Sequence, residues 1–581
     1  MKLNFSRNRI KFLYVLYIVF AFVLIFSAAT LQRNYQDSWI LEGLEFQLIL
    51  VSVPFLLLAV SLKSNKKLVL VVASFLILLS IVPNLKYVQI TGVFDSIAHY
   101  GYANRLISSG YVQETGFYSK EYSATPGLHI FLSSLTLITG LSLTNAIKLL
   151  LVTVSALPPF IMYLLLKNSF NKKSQRFIFL AMLFTLPVAS ALFGTTFALP
   201  LFFIFISIFL RQTIDAQAPR GFSVILIIMA VALIFSHGIT PLFLTVLMVF
   251  TPVVLRITEI VRNKKFSFNI SRYWQVAIFL VIFLSMWWAY NADYLFNNFL
   301  VRTIESIFSI HSSNIAIPST FFALSFSEQL TLAFIRFYDL AIVFSLGLLG
   351  LVFYFVVFRK RCSKGVRDLY LQVVSLIIAT GLISIPFFFN LLSYTFERFI
   401  VYANLLSPIL IGLGLFAVYK YLGRITKRIS TRNILFKVFL FVLFIPLLFV
   451  LFSPQPIVPK NPDNEYLVDY RSINTQYQMS MIQFAEKYHV NGSIVEADTV
   501  TSWQIFGLTG NSFYFDYIWE DPLYMNETQA DIILLHYSGV AGPLNEKIDY
   551  RSRINLNSFK FDLGNSIVYD NGESFMVVPQ K

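Results

Sequence analysis

Long apolar runs divide the first three quarters of the chain into segments whose length suits a lipid bilayer. A helix of about 17–25 mostly apolar residues crosses the hydrocarbon core. Thirteen runs approach that length, at about 12–31, 44–62, 67–85, 144–166, 177–193, 195–210, 222–236, 240–258, 274–290, 331–358, 369–389, 399–420 and 434–452. The pattern therefore predicts a polytopic α-helical membrane protein with about 13 transmembrane helices.

One apolar stretch, Gly127 to Gly140, has only 14 residues and is short for a spanning helix. Counting it as a span would move the basic cluster Lys167–Arg176 to the side opposite the other basic loops. We therefore predict a re-entrant or interfacial helix here, within one large outer loop at 84–144. A second outer loop is predicted at 291–330, and a short third one at Asn390–Arg398.

The loop charges give the orientation, because short cytoplasmic loops are rich in Lys and Arg. With thirteen spans all the strongly basic loops share a side with the N-terminus, which places the C-terminal part outside. The first apolar run is longer than the 7–15-residue core of a signal peptide, which favours a membrane helix over a cleaved leader. We expect an integral protein of the cell (plasma) membrane with a cytoplasmic N-terminus.

Composition and charge distribution narrow the class further. The chain is 57% hydrophobic and 13% charged, whereas soluble domains carry about 25% charged residues. The net charge of +15 is unevenly spread: residues 1–452 hold 37 Lys/Arg and 14 Asp/Glu, and residues 453–581 hold 8 and 16. This asymmetry argues against a nucleic-acid partner. The single cysteine, Cys362, excludes an intramolecular disulfide and a Cys-based zinc site.

The chain beyond the last apolar run, 453–581, has the pattern of a small extracytoplasmic α/β domain. It opens with a proline-rich linker. We predict helices near 474–488 and 499–508. Strands are predicted at Ser493–Ala497, Asp531–His536, 558–562 and 567–578, with a turn at Asp570-Asn571-Gly572. The domains are therefore 1–452 in the membrane and 453–581 outside it.

Ionisable residues of the membrane part gather at its predicted outer boundary. They include the histidines His99, His129, His237 and His311 and the acids Asp95, Glu114, Glu121, Asp293, Glu305, Glu328 and Glu397. A proton-coupled transporter usually places such groups at mid-bilayer. The distribution favours an enzyme acting on a lipid-linked substrate at the outer surface. A lipid or polysaccharide transporter or flippase is the alternative, and a non-catalytic scaffold is a third hypothesis.

Asp95 and His99 are the first candidates for chemistry. They are four residues apart and share one face if the segment is helical. A carboxylate near a membrane boundary is partly desolvated, which makes it a stronger base toward a hydroxyl or amide. Asp95 is equally suited to cap a helix beginning near Ser96. His99 would orient Asp95 or join it as a metal ligand, so a divalent cation such as Mg²⁺ or Mn²⁺ stays open.

Three further residues are candidates for binding substrate. Arg398 precedes a late span, and its planar guanidinium suits a phosphate group. Glu397 beside it would contribute to the same site or form an internal pair with the arginine. His237 lies between two spans, where it would face the substrate or hydrogen-bond a helix end.

The sequence around Asp95 resembles a known family. The order Asp95-x-x-x-His99-Tyr100-Gly-Tyr, Gly110-Tyr111, Tyr122-x-x-x-Pro-Gly-x-His129 and Ile138-Thr-Gly-Leu141 is similar to the GT-C superfamily of glycosyltransferases. These include protein O-mannosyltransferases and the catalytic subunits of oligosaccharyltransferases.

The resemblance implies a polyprenyl- or dolichyl-phosphate-linked sugar as donor, Asp95 as catalytic base, and substrate contacts from Tyr100, Tyr122 and His129. Three features depart from the family, and the first is the presence of two extra spans before the Asp95 loop. A second acid beside Asp95 and a Trp-Trp-Asp signature in the tail are both missing, which disfavours sequon-directed asparagine glycosylation. The resemblance leaves the acceptor open between a protein, a lipid and a cell-surface glycan.

Overall fold

The computed structural model describes most of the membrane part and four short strands. The described residues are 56, 58–62, 64–85, 94–111, 124–167, 170, 172–185, 194–214, 221–262, 270–291, 341–358, 364–389, 393–426, 428–452, 495–497, 532–536, 566–570 and 574–578. The structural statements below concern these residues. The predicted first span at 12–31 lies outside them, and only the end of the second, from Leu56, lies within.

Helices form at the apolar runs predicted within the described residues, and two further helices, α2 and α3, form within the predicted outer loop at 84–144. They are α1 (Asn65–Leu85), α2 (Phe94–Ser109), α3 (Gly127–Thr139), α4 (Leu143–Leu166), α5 (Lys172–Thr185), α6 (Gly194–Ile214), α7 (Gly221–Ser236), α8 (Ile239–Arg262), α9 (Ser271–Asn291), α10 (Ala341–Val357), α11 (Lys364–Phe389), α12 (Ser393–Ile425) and α13 (Ile429–Phe452). α10 ends in a π-helical turn at Tyr354–Phe358.

Within the part of the chain that the structure describes, six helices are long and apolar enough to cross a membrane. They are Leu143–Leu166, Thr195–Thr213, Ile239–Val261, Ser271–Asn291, Lys364–Leu382 and Leu405–Ile425. α3, α7 and α10 are shorter apolar helices. The chain is thus a mostly helical integral membrane protein, as the apolar pattern predicts.

The centre of the bundle is packed closely around α12, which contacts α5, α11 and α13. A Cβ atom added to Gly412 of α12 would lie 2.6 Å from the Ile178 Cα of α5. Membrane helices gain packing contacts when small residues let their backbones approach. Gly412 therefore fixes how near these two helices lie.

α2 and α3 form a separate layer against the N-terminal half of α4. Ala103, Leu128, Leu132, Leu143 and Ile147 make one buried cluster there. α3 has 13 residues, about 20 Å of helix, against about 30 Å of bilayer hydrocarbon. It ends at Gly140, whose φ of 69° is the left-handed conformation that suits glycine. A short helix therefore forms where the sequence predicts a re-entrant or interfacial one, and it ends at Gly140.

The described strands of the C-terminal part form one four-stranded sheet. The strands are β1 (Val495–Ala497), β2 (Ile532–His536), β3 (Ser566–Asp570) and β4 (Ser574–Val578), in the order β1-β2-β4-β3. β1 and β2 pair in parallel, and the other pairs are antiparallel. β3 ends at Asp570 and its antiparallel partner β4 begins at Ser574, so the predicted strand at 567–578 is two strands. The predicted turn residues Asn571 and Gly572 lie outside the described residues. The predicted helices at 474–488 and 499–508 and the strand at 558–562 lie outside the described residues.

Candidate active site

Asp95 lies in the first turn of α2. The helix begins at Phe94, so the prediction that it starts near Ser96, after a capping Asp95, is displaced by two residues. Such boundaries vary by one or two residues between definitions. The helix places His99 one turn after Asp95 on the same face.

His99 and His129 form a buried pair between α2 and α3. The Nδ1 atom of His99 and the Nε2 atom of His129 are 2.9 Å apart, and the rings are 5.1 Å apart at 33°. The two residues are 3% and 4% exposed. One turn further along both helices, the Ser133 hydroxyl donates to the Ala103 carbonyl at 2.9 Å. Two successive polar contacts thus fix the register of α2 against α3.

Burial keeps both imidazoles neutral. Both residues lie outside the six helices long enough to span a membrane. Burial lowers the pKa of His129 to about 3. The pKa of His99 lies well below the usual value, first because of burial and then because of the charges that His129 and His237 would carry. A neutral imidazole has one donor and one acceptor nitrogen, so the pair can share one proton in a hydrogen bond.

His237 brings a third histidine near His99, from the turn between α7 and α8. Its Nδ1 atom lies 2.7 Å from the Thr240 hydroxyl and accepts from the Thr240 backbone N–H at 3.2 Å. The Thr240 oxygen is 2.5 Å from the Tyr402 hydroxyl of α12. His237 therefore makes the predicted contact with a helix end. The Thr240–Tyr402 contact then links α8 to α12.

The segment before His129 is anchored to α7 and α9. The Trp287 indole N–H donates to the Ala124 carbonyl at 3.0 Å, and the Trp287 ring lies 4.1 Å from the Phe235 ring. A Cβ atom on Gly127 would lie 2.8 Å from the Phe235 carbonyl oxygen. This close approach requires glycine at 127 and sets the start of α3 beside the His237 turn.

The remaining predicted site residues fall in different places. Tyr100 is half-buried and packs on the α2–α3–α4 cluster. Glu397 and Arg398 lie in the first turns of α12, which begins at Ser393, so the predicted loop at Asn390–Arg398 is helical from 393 onward. Tyr122 and His311 lie outside the described residues. The structure thus brings together His99, His129 and His237 from three separate parts of the chain.

The described residues do not by themselves fit a divalent cation. Among them no group of three or more His, Cys, Asp or Glu side chains could hold a metal ion. The facing nitrogens of His99 and His129 are already within hydrogen-bond distance of each other. Mg²⁺ and Mn²⁺ favour oxygen ligands, which this buried pair does not offer.

Three residues beside this site were not predicted from the sequence. Thr240 and Tyr402 complete the hydrogen-bond chain to His237, and Trp287 holds the segment before His129. The spacing His237-x-x-Thr240 is a signal for a local contact at a helix start. Tyr402 and Trp287 have no such signal, because their partners are 162 and 163 residues away.

No protein-family model and no curated protein matches this sequence. Solved structures do. The oligosaccharyltransferase AglB of Archaeoglobus fulgidus, in complex with an inhibitory peptide and a dolichol-phosphate, matches with a TM-score of 0.54 at 10% identity, over 89% of this chain and 74% of that one. The oligosaccharyltransferase of the same organism, in complex with Zn and sulfate, matches with a TM-score of 0.53 at 11% identity. The match covers 82% of this chain and 68% of that one.

A bacterial structure is also similar. ArnT from Cupriavidus metallidurans, bound to undecaprenyl phosphate, matches with a TM-score of 0.51 at 11% identity, over 88% of this chain and 97% of that one. At such identities the likeness shows the fold.

Proposed function

We propose that this chain, whose fold is that of the GT-C glycosyltransferases, moves a sugar from a polyprenyl- or dolichyl-phosphate carrier to an acceptor at the outer membrane face. The observation that carries the proposal is the convergence of the buried neutral pair His99–His129 with His237, where His99 lies one turn after Asp95 on α2. Two structural neighbours, AglB and ArnT, are bound to dolichol-phosphate and undecaprenyl phosphate, which supports the same class of lipid carrier.

The proposed reaction is a direct displacement. The Asp95 carboxylate takes the proton of the acceptor hydroxyl, and the acceptor oxygen forms a bond to the anomeric carbon. The bond from that carbon to the phosphate oxygen breaks, and its electron pair leaves with the lipid phosphate. The anomeric centre is inverted. Arg398 stabilises the departing phosphate, and neutral His99 orients Asp95.

The other predicted binding residues are proposed to act around this centre. Glu397 positions Arg398, while His129 holds His99 in place. Tyr100 and Tyr122 contact the substrate, and His237 faces its head group. A divalent cation held by Asp95 and His99 would need further ligands, and Mg²⁺- or Mn²⁺-dependent transfer that EDTA abolishes would establish it.

The topology is part of the proposal. We propose about thirteen spans in residues 1–452, outer loops at 84–144 and 291–330, and an extracytoplasmic α/β domain at 453–581. In support, α4 has 24 residues, about 36 Å of helix. It runs from the α2–α3 cluster to exposed Lys167, so the site and a basic end lie at opposite ends of one membrane-length helix. The expected location is the plasma membrane, with the N-terminus in the cytoplasm.

The experiment that tests the function is a transfer assay on purified protein. Labelled undecaprenyl- and dolichyl-phosphate monosaccharides are offered with a membrane fraction as the source of acceptor. Asp95→Asn should lower transfer by at least about 100-fold, the lower range of general-base contributions. The matched control is Glu259→Gln, which changes a carboxylate at the far end of α8, where it pairs with Arg256 at 2.6 Å.

Undiminished transfer by Asp95→Asn would remove Asp95 from the mechanism. Movement of labelled lipid across vesicles without transfer of the sugar would instead establish the flippase alternative.

A further inference from the structure

The turn between α12 and α13 collects positive charge that the proposed reaction does not use. Residues 420–437 contain six Lys or Arg and no Asp or Glu. α12 ends at Ile425 and α13 begins at Ile429. The six cations therefore lie within about two helical turns of this connection, at one end of the bundle.

This basic turn lies at the end of the bundle away from the buried histidine pair. Lys437 of α13 is 3.4 Å from the Ser61 hydroxyl, just before α1. The Asn65 side chain at the start of α1 donates to the Lys172 carbonyl at the start of α5, at 2.9 Å. α5 follows the end of α4 that is remote from the α2–α3 cluster. A ligand at this turn is therefore separate from the substrate of the proposed reaction.

Arg432 of α13 is held in a defined position within this turn. Its guanidinium carbon lies 4.4 Å from the centre of the Tyr419 ring of α12. The Tyr419 hydroxyl donates to the Asn433 side-chain oxygen at 3.0 Å, which fixes the ring. A Cβ atom on Gly423 would lie 2.8 Å from Nη1 of Arg432, so glycine at 423 leaves the space that the guanidinium occupies. A cation ordered in this way by an aromatic ring loses less freedom when it binds an anion.

The donors that Arg432 offers suit a phosphate group. Its Nε atom is buried and has no hydrogen-bond partner among the described residues. The four N–H groups on the two terminal nitrogens are therefore the donors left for a ligand. Arg428 lies one helical turn earlier, because its carbonyl accepts from the Arg432 backbone N–H at 3.1 Å, and it is exposed. Two guanidinium groups one turn apart match the oxygens of a phosphate.

Apolar side chains beside these cations indicate a lipid and not a soluble anion. Ile425, Ile429 and Ile434 are 61%, 67% and 59% exposed. In a membrane protein, exposed apolar side chains next to Lys and Arg mark the level at which acyl chains meet head groups. A ligand that satisfies both kinds of side chain carries an anionic phosphate joined to hydrocarbon.

We propose that the α12–α13 turn binds the phosphate of an anionic phospholipid, with Arg432 as the main donor and Arg428 as the second cation. Basic clusters at the membrane ends of helices recognise anionic head groups. Because Arg432 belongs to α13 and stacks on Tyr419 of α12, the bound lipid also holds these two helices together. The inference does not depend on the proposed reaction.

The test is native mass spectrometry of the full-length protein released from detergent, titrated with three probes. They are phosphatidylglycerol, which is anionic, phosphatidylcholine, which is zwitterionic, and glycerol phosphate, which has the phosphate without acyl chains. We expect phosphatidylglycerol to bind at least about 10-fold more tightly than either of the others, because it alone combines a net negative charge with hydrocarbon.

Four variants separate a built site from diffuse attraction. Arg432→Gln should weaken binding of phosphatidylglycerol by at least about 10-fold, the effect of losing hydrogen bonds to a charged group. Lys437→Gln removes the same charge elsewhere on α13 and should stay within about 2-fold. Gly423→Ala keeps every charge but displaces Arg432 from Tyr419, so binding should weaken by about 3-fold. Gly381→Ala, in open space on α11, is its matched control and should bind like the wild type.

Three results would overturn the inference. Equal binding of phosphatidylglycerol and phosphatidylcholine would exclude recognition of the anionic head group, and equal binding of glycerol phosphate would exclude a lipid as the ligand. Equal effects of Arg432→Gln and Lys437→Gln, or of Gly423→Ala and Gly381→Ala, would leave only diffuse attraction. None of these measurements uses a sugar donor, so their outcome is independent of the transfer assay.

Discussion

The buried His99–His129 pair predicts that acid destabilises the folded protein. His129 has an ordinary pKa of about 6.5 in the unfolded chain and about 3 in the folded one. Between these values the unfolded chain binds a proton that the folded protein excludes. The stability that neutral His129 allows is therefore complete above about pH 6.5 and falls as the pH decreases toward 3.

The size of the effect follows from the two pKa values. At pH 5 the unfolded His129 is almost fully protonated and the folded one is not, so lowering the pH from 7.5 to 5 costs about 2 kcal/mol through this residue. The pKa of His99 is depressed in the same direction, so it adds to the loss.

The assay is unfolding by SDS titration at pH 7.5, 6.5, 5.5 and 5, on wild type and His129→Gln. Glutamine retains hydrogen-bonding groups but does not titrate, so the difference in the free energy of unfolding between the two should shrink by about 2 kcal/mol at pH 5. Ser133→Ala serves as the control, because it removes the neighbouring Ser133–Ala103 hydrogen bond and no titratable group. Its destabilisation should be the same at each pH. A wild-type to His129→Gln difference that does not change with pH would refute the reasoning.

Other substitutions test the close contacts around the site. Gly127→Ala places a Cβ against the Phe235 carbonyl and should lower stability by about 1–3 kcal/mol and reduce transfer activity, measured by thermal unfolding and the transfer assay. Trp287→Phe keeps an aromatic side chain but replaces the indole by a smaller ring and loses the N–H that donates to the Ala124 carbonyl. The lost hydrogen bond should cost about 1 kcal/mol in the same unfolding measurement. Gly412→Ala should destabilise by about 1–3 kcal/mol through contact with α5, whereas Gly381→Ala, in open space on α11, should be neutral or slightly stabilising. A drop in melting temperature as large for Gly381→Ala as for Gly412→Ala would contradict the packing argument.

The sequence determined the helical membrane part and much of its segmentation. Apolar runs of bilayer length produce helices because the hydrocarbon core requires internal backbone hydrogen bonds. The spanning-length helices consequently lie where the runs lie, whereas α2 and α3 form within the predicted outer loop at 84–144. The motifs in Asp95–Leu141 resemble the GT-C superfamily, and the similarity of the structure to AglB and ArnT confirms that fold. Helix ends were less accurate: α12 begins at Ser393, because polar residues next to a span can continue its helix.

Only the tertiary structure decided which polar residues meet. His99 and His129 are separated by 30 residues, and Thr240 and Tyr402 by 162. A one-dimensional pattern shows which face of a helix a residue occupies, but not which helix packs against that face. The pairing of the histidines and their lowered pKa values depend on burial between α2 and α3. The contact of the His237 turn with α12 depends on the Thr240–Tyr402 hydrogen bond. Hydrogen bonding and desolvation act over a few ångströms of space, so they follow from how the helices pack and not from the order of residues along the chain.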